Sequence, residues 1–399
     1  MAVGPDVDDI AGEPAARRGA HWSNAATFFV SLLVSLLFIE IGYRAIEGLP
    51  ILKLSNWRTE RVVTVNLGEL RGVADPVLGW KEKPWSYDED GYTTIDYGIR
   101  QNFDETTIRT GAVLAVGDSF TEGWEVKDNE SWPAVLEKLT NVPVINAGIG
   151  GYGADQVALR AEQLLPIVRP KVVIFGLHEE MIARVAYSVY GAPKPYFTLE
   201  SRELRYHPPK LDEPQREAGA LRSVSDRIRE AMGYSAALDF ILSRLAPNFW
   251  HSIGPNDLYE TTSEDEAAIT CSLLRRLKDE TEKDGIKLML FLQYHAPVIV
   301  AKTKDSPNLR SVAACAQASG IRTVDQYDAL RAAVRASPDS NAIRDYYWYY
   351  DGVFAHMTAK GNAQAATLLA NELRDWLPAI APRATPSSAQ RDSESLQQP

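Results

Sequence analysis

Residues 112–121 read AVLAVGDSFT, an apolar run that ends in glycine and a cluster of small polar side chains. An unbroken apolar run of this length is typical of a parallel strand that is buried on both faces. The change to Gly, Asp, Ser and Thr predicts a sharp turn where that strand ends. Functional side chains gather at the carboxyl edge of a parallel sheet, so Ser119 is a candidate nucleophile; an ordinary strand-to-helix turn is the alternative.

Further apolar runs of the same kind occur at 142–148, 171–176, 286–293 and 321–325. Between and after them, capping residues and apolar periodicity predict helices over 131–139, 155–168, 263–283, 307–319 and 358–376. This alternation predicts an α/β fold, a flavodoxin-like three-layer α/β/α sandwich around a parallel sheet. The interval 183–262 breaks the alternation, and we interpret it as an insertion, with an amphipathic helix over 223–245, that covers the site.

An apolar segment, AATFFVSLLVSLLFI at 25–39, lies near the N-terminus. Its length and its charge-free composition predict a transmembrane anchor over 23–45, and no small-x-small pattern follows that would mark a cleaved signal. A buried core helix is the alternative. Basic residues flank the segment on both sides, so the short N-terminal tail, rather than the charge count, favours an N-in anchor with the large domain in the periplasm or otherwise outside the cytoplasm.

The remaining boundaries follow from composition. Residues 1–22 and 379–399 are poor in apolar side chains and are predicted to be disordered tails. Residues 46–110 are rich in turn formers and are predicted to be a linker with short strands and turns. The main domain is therefore predicted to span 111–378.

Charge and cysteine content exclude several classes of function. The net charge of −11, without clusters of Lys and Arg, argues against nucleic-acid binding. The only cysteines, Cys271 and Cys315, exclude a cysteine-based zinc site and leave one disulfide possible. No cofactor or metal site is expected, because the consecutive residues His178, Glu179 and Glu180 cannot all point at one ion without partners elsewhere.

Separated blocks of sequence carry a resemblance to a known family. They are DPVLGW at 75–80, GDSFT at 117–121, NAGIGGY at 146–152, GLHEE at 176–180 and DGVFAHMTAKGN at 351–362. Together they resemble the GDSL-type (SGNH) hydrolases, in particular the bacterial membrane-anchored members, over roughly residues 75–376. The resemblance implies the three-layer α/β/α sandwich of that family.

The resemblance also implies roles for individual residues. Ser119 would be the nucleophile, His356 the base, and Asp351 the acid that orients it. The amide of Gly151, or of its neighbour Gly150, would donate to the oxyanion; glycine lets the backbone approach the substrate closely. His178 stands where the family has an asparagine oxyanion donor, so its imidazole would either replace that donor or pack at the strand end.

The last block departs from the family pattern. Asp351 lies five residues before His356 instead of three, so the intervening loop must bulge if the carboxylate is to reach the imidazole. Asp345 is a weaker substitute, and a dyad of Ser119 and His356 oriented by a backbone carbonyl is another arrangement.

These residues predict acyl transfer through an acyl-enzyme. We expect an esterase that removes acyl groups, such as acetyl, from a carbohydrate or cell-envelope polymer. The alternatives are an O-acetyltransferase of exopolysaccharide and an inactive polysaccharide-binding or scaffold protein. The aromatic stretch YYWYY at 346–350 is interpreted as core packing, with a carbohydrate-stacking wall as the alternative.

Overall fold

A computed structural model describes residues 15–47, 51–52, 54, 72–201, 203–211, 231–246, 259–261, 265–301, 306–337, 339, 341–350 and 353–376. The chain divides into two compact units. One contains Met1–Val63 and Val224–Ile253, and the main unit contains Thr64–Ser223 and Gly254–Pro399. The predicted tail at 379–399 lies outside the described residues, as do residues 1–14 of the N-terminal tail.

Strands and helices of the described residues are numbered in chain order. The strands are β1 (Gly72–Asp75), β2 (Gly79–Glu82), β3 (Val113–Val116), β4 (Val144–Asn146), β5 (Val172–Leu177), β6 (Tyr187–Tyr190), β7 (Tyr196–Glu200), β8 (Glu203–His207), β9 (Tyr259–Thr261), β10 (Lys287–Leu292), β11 (Arg322–Asp325), β12 (Tyr347–Tyr350) and β13 (Val353–Met357). The α-helices are α1 (Ala15–Glu47), α2 (Ser119–Glu122), α3 (Trp132–Thr140), α4 (Ala154–Val168), α5 (Glu179–Ala183), α6 (Ala236–Leu245), α7 (Glu266–Lys283), α8 (Ala296–Ala301), α9 (Pro307–Ala318), α10 (Gln326–Arg335) and α11 (Ala359–Glu372).

The core of the main unit is a parallel five-stranded sheet in the order β11-β10-β5-β3-β4. Each of the five predicted apolar runs overlaps one of these strands. All residues of β3 and β5 are buried, because these strands lie inside the sheet and are covered on both faces. The predicted α/β fold with a parallel sheet is confirmed.

Helices cover both faces of the sheet. α4, α7 and α9 pack together in one layer, and α3, α10 and α11 form the other. Side-chain caps begin several of these helices where the sequence predicts them: Ser131 accepts from the amide of Ala134, and Thr358 accepts from the amide of Gly361. The last helix ends at Glu372, followed by a turn, rather than continuing to Trp376.

Strand order places a crevice beside β3. From β3 the chain goes to β4 on one side and then returns to β5 on the other. Loops that leave the carboxyl ends of β3 and β5 therefore diverge, which is where open α/β sheets form their sites. Ser119 follows β3 and His178 follows β5, so both candidates lie at this crevice.

Residues 72–110 group with the main unit, ahead of the domain start predicted at 111, and contain short strands and turns as the sequence predicts. Trp80, Ile95 and Ile99 are buried in the same hydrophobic core as the sheet strands. Residue 100 also forms a β-bridge with Asn146 at the end of β4. The apolar side chains of this segment are dispersed among turn-forming residues. Its composition therefore resembles that of a loop, although the side chains are buried.

The β1–β2 hairpin explains the DPVLGW block. The Asp75 carboxylate accepts from the amides of Val77 and Leu78, each at 2.9 Å, and so closes the turn. Burial alone would raise the pKa of Asp75, but these amides and Lys81 hold the pKa below its ordinary value. Gly79 has φ +84°, and a Cβ there would lie 2.3 Å from the carbonyl oxygen of Pro193, so only glycine fits.

The N-terminal helix α1 begins at Ala15, earlier than the predicted anchor at 23, so the predicted tail 1–22 overlaps it over residues 15–22. Alanine and arginine over 15–20 favour helix, and a helix already formed extends readily. Residues Ala26–Ile46 are long and apolar enough to cross a membrane. The same length and composition suit a membrane anchor or a signal sequence.

A buried carboxylate joins α1 to α6 within the smaller unit. Glu40, 5 % exposed, accepts from the Ser235 hydroxyl at 2.7 Å and from the amides of Ala236 and Ala237 at 2.9 and 3.1 Å. Arg44 donates to the same carboxylate at 2.5 Å. Glu40 therefore caps the N-terminus of α6, which gives an acidic residue in an apolar helix the partners it requires.

The predicted insertion at 183–262 contains β6, the β7–β8 hairpin, α6 and β9 among its described residues. β6, near the start of the interval, pairs antiparallel with β9, near its end, so the two ends of the interval lie side by side. Its residues 224–253 group with the N-terminal helix and not with the main unit. Coverage of the site by this interval stays a prediction.

Candidate active site

Ser119 is the first residue of α2, directly after β3. Asp118 caps this short helix: its carboxylate accepts from the amide of Phe120 at 3.0 Å. Gly117 is required here, because a Cβ would lie 2.0 Å from Oγ1 of Thr121. The resulting tight turn leaves Ser119 9 % exposed at the carboxyl edge of the sheet. Its Oγ lies 2.9 Å from Nε2 of His356.

His356 reaches Ser119 from β13, and the residues after it fix that position. Thr358 caps α11, and Gly361 packs where a Cβ would lie 2.2 Å from the carbonyl oxygen of Tyr346. Asn362 accepts from the amide of Trp132 at 2.9 Å and donates to the carbonyl of Met357 at 3.2 Å. The His-x-Thr-x-x-Gly-Asn pattern thus ties β13 to α3 and holds the imidazole over Ser119.

The acid next to His356 is Glu125, which the sequence did not predict. Its Oε2 lies 3.1 Å from Nδ1 of His356 and also accepts from the His356 amide at 3.1 Å. An ionised carboxylate only accepts hydrogen bonds, so Nδ1 carries the imidazole proton and Nε2 is left to accept from the Ser119 hydroxyl. The three side chains are ordered as nucleophile, base and acid.

Glu125 adopts a strained backbone conformation, with φ +69°. A non-glycine residue in this region costs about 1–2 kcal/mol, and such strain is found where surrounding structure enforces it. Arg100 is the residue that enforces it: buried beneath the loop, it donates to the carbonyls of Glu122, Gly123 and Val126. The guanidinium thereby fixes the backbone on both sides of Glu125.

Two aspartates were considered from the sequence for the role of the acid, and only Asp345 belongs to the described part of the chain. Asp351 lies outside the described residues. Asp345 pairs with Lys360 at 2.7 Å, and its backbone carbonyl accepts from the Thr358 hydroxyl at 2.5 Å. Its carboxylate is therefore engaged on the surface and not at His356.

Gly151 lies in the loop after β4 with φ +78°, a conformation that favours glycine. Among the described residues, neither its amide nor that of Ser119 has a hydrogen-bond acceptor, so both N–H groups are available to a ligand. Buried Trp80 supports this loop by donating from Nε1 to the carbonyl of Gly150 at 3.2 Å. Tyr152 in turn donates to the carbonyl of Trp80 at 2.5 Å.

His178 is buried and is held away from the expected oxyanion role. Its Nε2 lies 2.7 Å from the Asp118 carboxylate, and its Nδ1 lies 3.3 Å from Nε2 of His295. In the neutral form the single N–H is donated to Asp118, so none is left for an oxyanion. Burial alone would raise the pKa of Asp118, but His178 and Arg184 together hold the pKa well below its ordinary value.

Phe120 packs against three imidazoles at once. Its ring centroid lies 5.0 Å from that of His178, 4.8 Å from that of His295 and 5.4 Å from that of His356. Burial lowers the pKa of His295 to about 4, against the opposite effect of Glu180, so this ring is neutral at neutral pH. The residue after the nucleophile thus fixes the ring positions around it.

The aromatic stretch at 346–350 contains both buried and exposed rings. Tyr346 and Tyr347 are buried, and the Tyr347 hydroxyl donates to the carbonyl of Tyr294 at 2.5 Å. Trp348 and Tyr350 are 37 % and 52 % exposed, and their rings stack with centroids 6.0 Å apart and planes at 12°. The hairpin therefore presents a flat aromatic surface next to β13.

Comparison with known proteins gives matches among solved structures only. No protein-family model matches the chain. No curated protein matches it. A member of the lipolytic G-D-S-L family from Veillonella parvula is 12 % identical, with 66 % of this chain and 98 % of that chain covered and a TM-score of 0.34. The acetylxylan esterase Axe2 from Geobacillus stearothermophilus is 14 % identical, with 67 % and 96 % covered and a TM-score of 0.37.

A third neighbour, the acetyl xylan esterase AlAXEase, is 12 % identical, with 66 % of this chain and 99 % of that chain covered and a TM-score of 0.38. These neighbours include proteins that carry the GDSL name which the sequence blocks suggest. At such identities and TM-scores, the similarity carries no argument about what this chain does. Its activity is argued from its own residues.

Proposed function

We propose that the chain is a serine esterase that acts through an acyl-enzyme, with Ser119, His356 and Glu125 as its catalytic residues. The observation that carries the proposal is the pair of contacts to one imidazole: Ser119 Oγ at 2.9 Å on Nε2 and Glu125 at 3.1 Å on Nδ1. A serine and a histidine at hydrogen-bond distance, with an acid on the second ring nitrogen, is the arrangement that activates a hydroxyl nucleophile.

In the proposed reaction, Nε2 of His356 takes the Ser119 proton as Oγ attacks the ester carbonyl. Glu125 accepts from Nδ1–H and stabilises the imidazolium that forms. The amides of Ser119 and Gly151 donate to the tetrahedral oxyanion. The imidazolium then protonates the leaving alcohol, and water, activated by the same imidazole, hydrolyses the acyl-enzyme.

The substrate that we propose is an acylated, in particular acetylated, carbohydrate or cell-envelope polymer. The exposed, stacked rings of Trp348 and Tyr350 support this class, because sugar rings pack on flat aromatic faces. Burial and, to a smaller extent, the charge of Glu125 raise the pKa of Tyr350. In this proposal a sugar stacks on these rings and presents its acyl group to Ser119.

The location that we propose is outside the cytoplasm, with α1 as a membrane anchor. Cys271 on α7 and Cys315 on α9 form a disulfide, and disulfides persist mainly in oxidising compartments. An N-terminal apolar helix followed by a disulfide-containing domain supports an N-in anchor with the esterase in the periplasm.

Two substrates test this proposal with the full chain in detergent. The wild type should hydrolyse both an aryl acetate and soluble acetylated xylan. Trp348→Ala should raise KM for the polysaccharide by about tenfold while leaving aryl acetate hydrolysis unchanged, because only the sugar needs the aromatic face. Trp85→Ala, at another exposed tryptophan, is the control. If the wild type hydrolyses neither substrate, the esterase proposal is wrong. If Trp348→Ala affects both substrates equally, the proposed carbohydrate role is wrong.

Trp80→Phe tests the support of the oxyanion loop. Phenylalanine keeps most of the buried ring but removes the N–H that donates to Gly150. We expect kcat for aryl acetate to fall by about three- to tenfold with little change in KM, because one neutral hydrogen bond contributes about 0.5–1.5 kcal/mol. Trp85→Phe is the matched control, since Nε1 of Trp85 donates to Asp96 on the surface. If both variants behave alike, Trp80 does not position the loop.

A further inference from the structure

Three possible metal ligands converge beside the proposed active site. Nδ1 of His178, a carboxylate oxygen of Glu180 and Nε2 of His295 all lie within 4.8 Å of one another. His178 and Glu180 follow β5, and His295 follows β10, the neighbouring parallel strand. Sequence reasoning excluded a site made of adjacent residues alone. The structure supplies the distant partner, His295, which lies 117 residues further along the chain.

The ring nitrogens and the carboxylate of this cluster face one another. Nε2 of His178 bonds the Asp118 carboxylate, so Nδ1 is the ring nitrogen that remains to bind an ion. Nε2 of His295 lies 3.3 Å from this nitrogen and also 3.3 Å from Oε1 of Glu180. A single cation bound by these three atoms would interact with all of them at once.

Two of the three ligand separations suit a small divalent ion, and binding of one ion would draw Glu180 and His178 closer together than the 4.8 Å within which the three ligand atoms lie. Ligands at about 2.0–2.1 Å from Zn²⁺ lie about 3.3–3.4 Å apart at tetrahedral angles. The two separations of 3.3 Å match this edge length. Two imidazoles and one carboxylate are the donor set that zinc and similar transition ions prefer over Mg²⁺ or Ca²⁺.

The surroundings of the cluster resemble an outer ligand shell. Asp118 bonds the far nitrogen of His178, as a carboxylate does in many histidine–metal sites. Arg184 donates to Oε2 of Glu180 at 2.9 Å, which leaves Oε1 to the cluster. His178 is buried, while the side chains of His295 and Glu180 are 31 % and 39 % exposed. An ion could therefore enter from solvent and keep an open coordination position.

We propose that His178, Glu180 and His295 bind Zn²⁺ or a similar divalent transition ion, with a fourth position open to water or to a ligand oxygen. Both cysteines are held in a disulfide, so thiols do not compete for the ion. The site is separate from Ser119, His356 and Glu125, and it is independent of the esterase proposal.

Metal titration of the full chain tests this site. The protein is purified in detergent without a polyhistidine tag, stripped with a chelator, and titrated with Co²⁺ by visible absorption and with Zn²⁺ by calorimetry. We expect one equivalent to bind, with the absorption of tetrahedral Co²⁺. His295→Ala and Glu180→Gln should each weaken Zn²⁺ binding by at least about 100-fold, because each removes a direct ligand.

The matched control is His207→Ala, which removes a histidine of β8 whose ring stacks on Tyr196. This variant should bind one equivalent as the wild type does, and circular dichroism should confirm that all variants fold. Absence of stoichiometric binding to the wild type overturns the proposal. So does unchanged binding in both His295→Ala and Glu180→Gln, or equal loss in His207→Ala.

Discussion

Ser119→Ala and His356→Ala are each expected to lower kcat for aryl acetate hydrolysis by about 10⁴–10⁶, with KM changed little. Ser119→Ala removes the oxygen that is acylated. His356→Ala removes the base: among the described residues, His356 is the only group at hydrogen-bond distance from Ser119 Oγ that can take its proton. Residues that act as one unit are not additive, so the double variant should be no slower than either single variant. Stopped assays with purified full-length chains measure all three rates.

Two variants serve as controls for this experiment. Ser272→Ala on α7 and His207→Ala on β8 remove the same side-chain types away from the crevice. Both should retain wild-type rates. A Ser119→Ala protein that keeps more than a few per cent of the wild-type rate would falsify the assignment of the nucleophile. Multiplying losses in the double variant would mean that Ser119 and His356 act separately.

Glu125→Gln is expected to lower kcat by about 10²–10⁴, the second largest effect. The amide keeps the size of the side chain but no longer carries the charge that stabilises the imidazolium. Its NH₂ group can also select the wrong tautomer of His356. The expected loss lies in kcat and not in KM, because the carboxylate acts on the base and not on the substrate.

Asp351→Asn is the comparison that separates the two possible acids. Glu125 already accepts from both the ring and the amide of His356, so the Asp351 change should leave kcat within about twofold of the wild type. Glu125→Asp should retain more activity than Glu125→Gln, since it keeps the charge. If Asp351→Asn is as damaging as Glu125→Gln, the aspartate proposed from sequence is the acid and Glu125 is structural.

Most of the fold could be predicted from the sequence because its signals are local. The five sheet strands are buried on both faces, so they appear in the sequence as apolar runs, and the capping residues Ser131 and Thr358 mark helix starts. The packing of segment 72–110 into the main unit is not marked by such local signals. Its hold on the main unit comes from long-range contacts, such as the bond from Trp80 to Gly150, that leave no periodic pattern.

The candidate site also combines residues that local sequence marks with residues that only long-range contacts bring in. Ser119, Gly151 and His356 stand in blocks whose turns require glycine or small polar residues, so the sequence marks them. Glu125 contacts His356, which lies 231 residues further along the chain. Glu125 itself adopts a left-handed backbone conformation, which a glutamate in the sequence does not predict. His295 joins His178 only because β10 lies beside β5. The sequence alone offers no signal for either contact.

Activation of Ser119 by His356 and Glu125 is tested most directly by covalent labelling. The full chain is treated with a fluorophosphonate probe, and the modified peptide is identified by mass spectrometry. We expect labelling of the wild type at Ser119, slower labelling of Glu125→Gln, and none of Ser119→Ala or His356→Ala. No labelling of the folded wild type, or labelling at a different serine, would contradict the account.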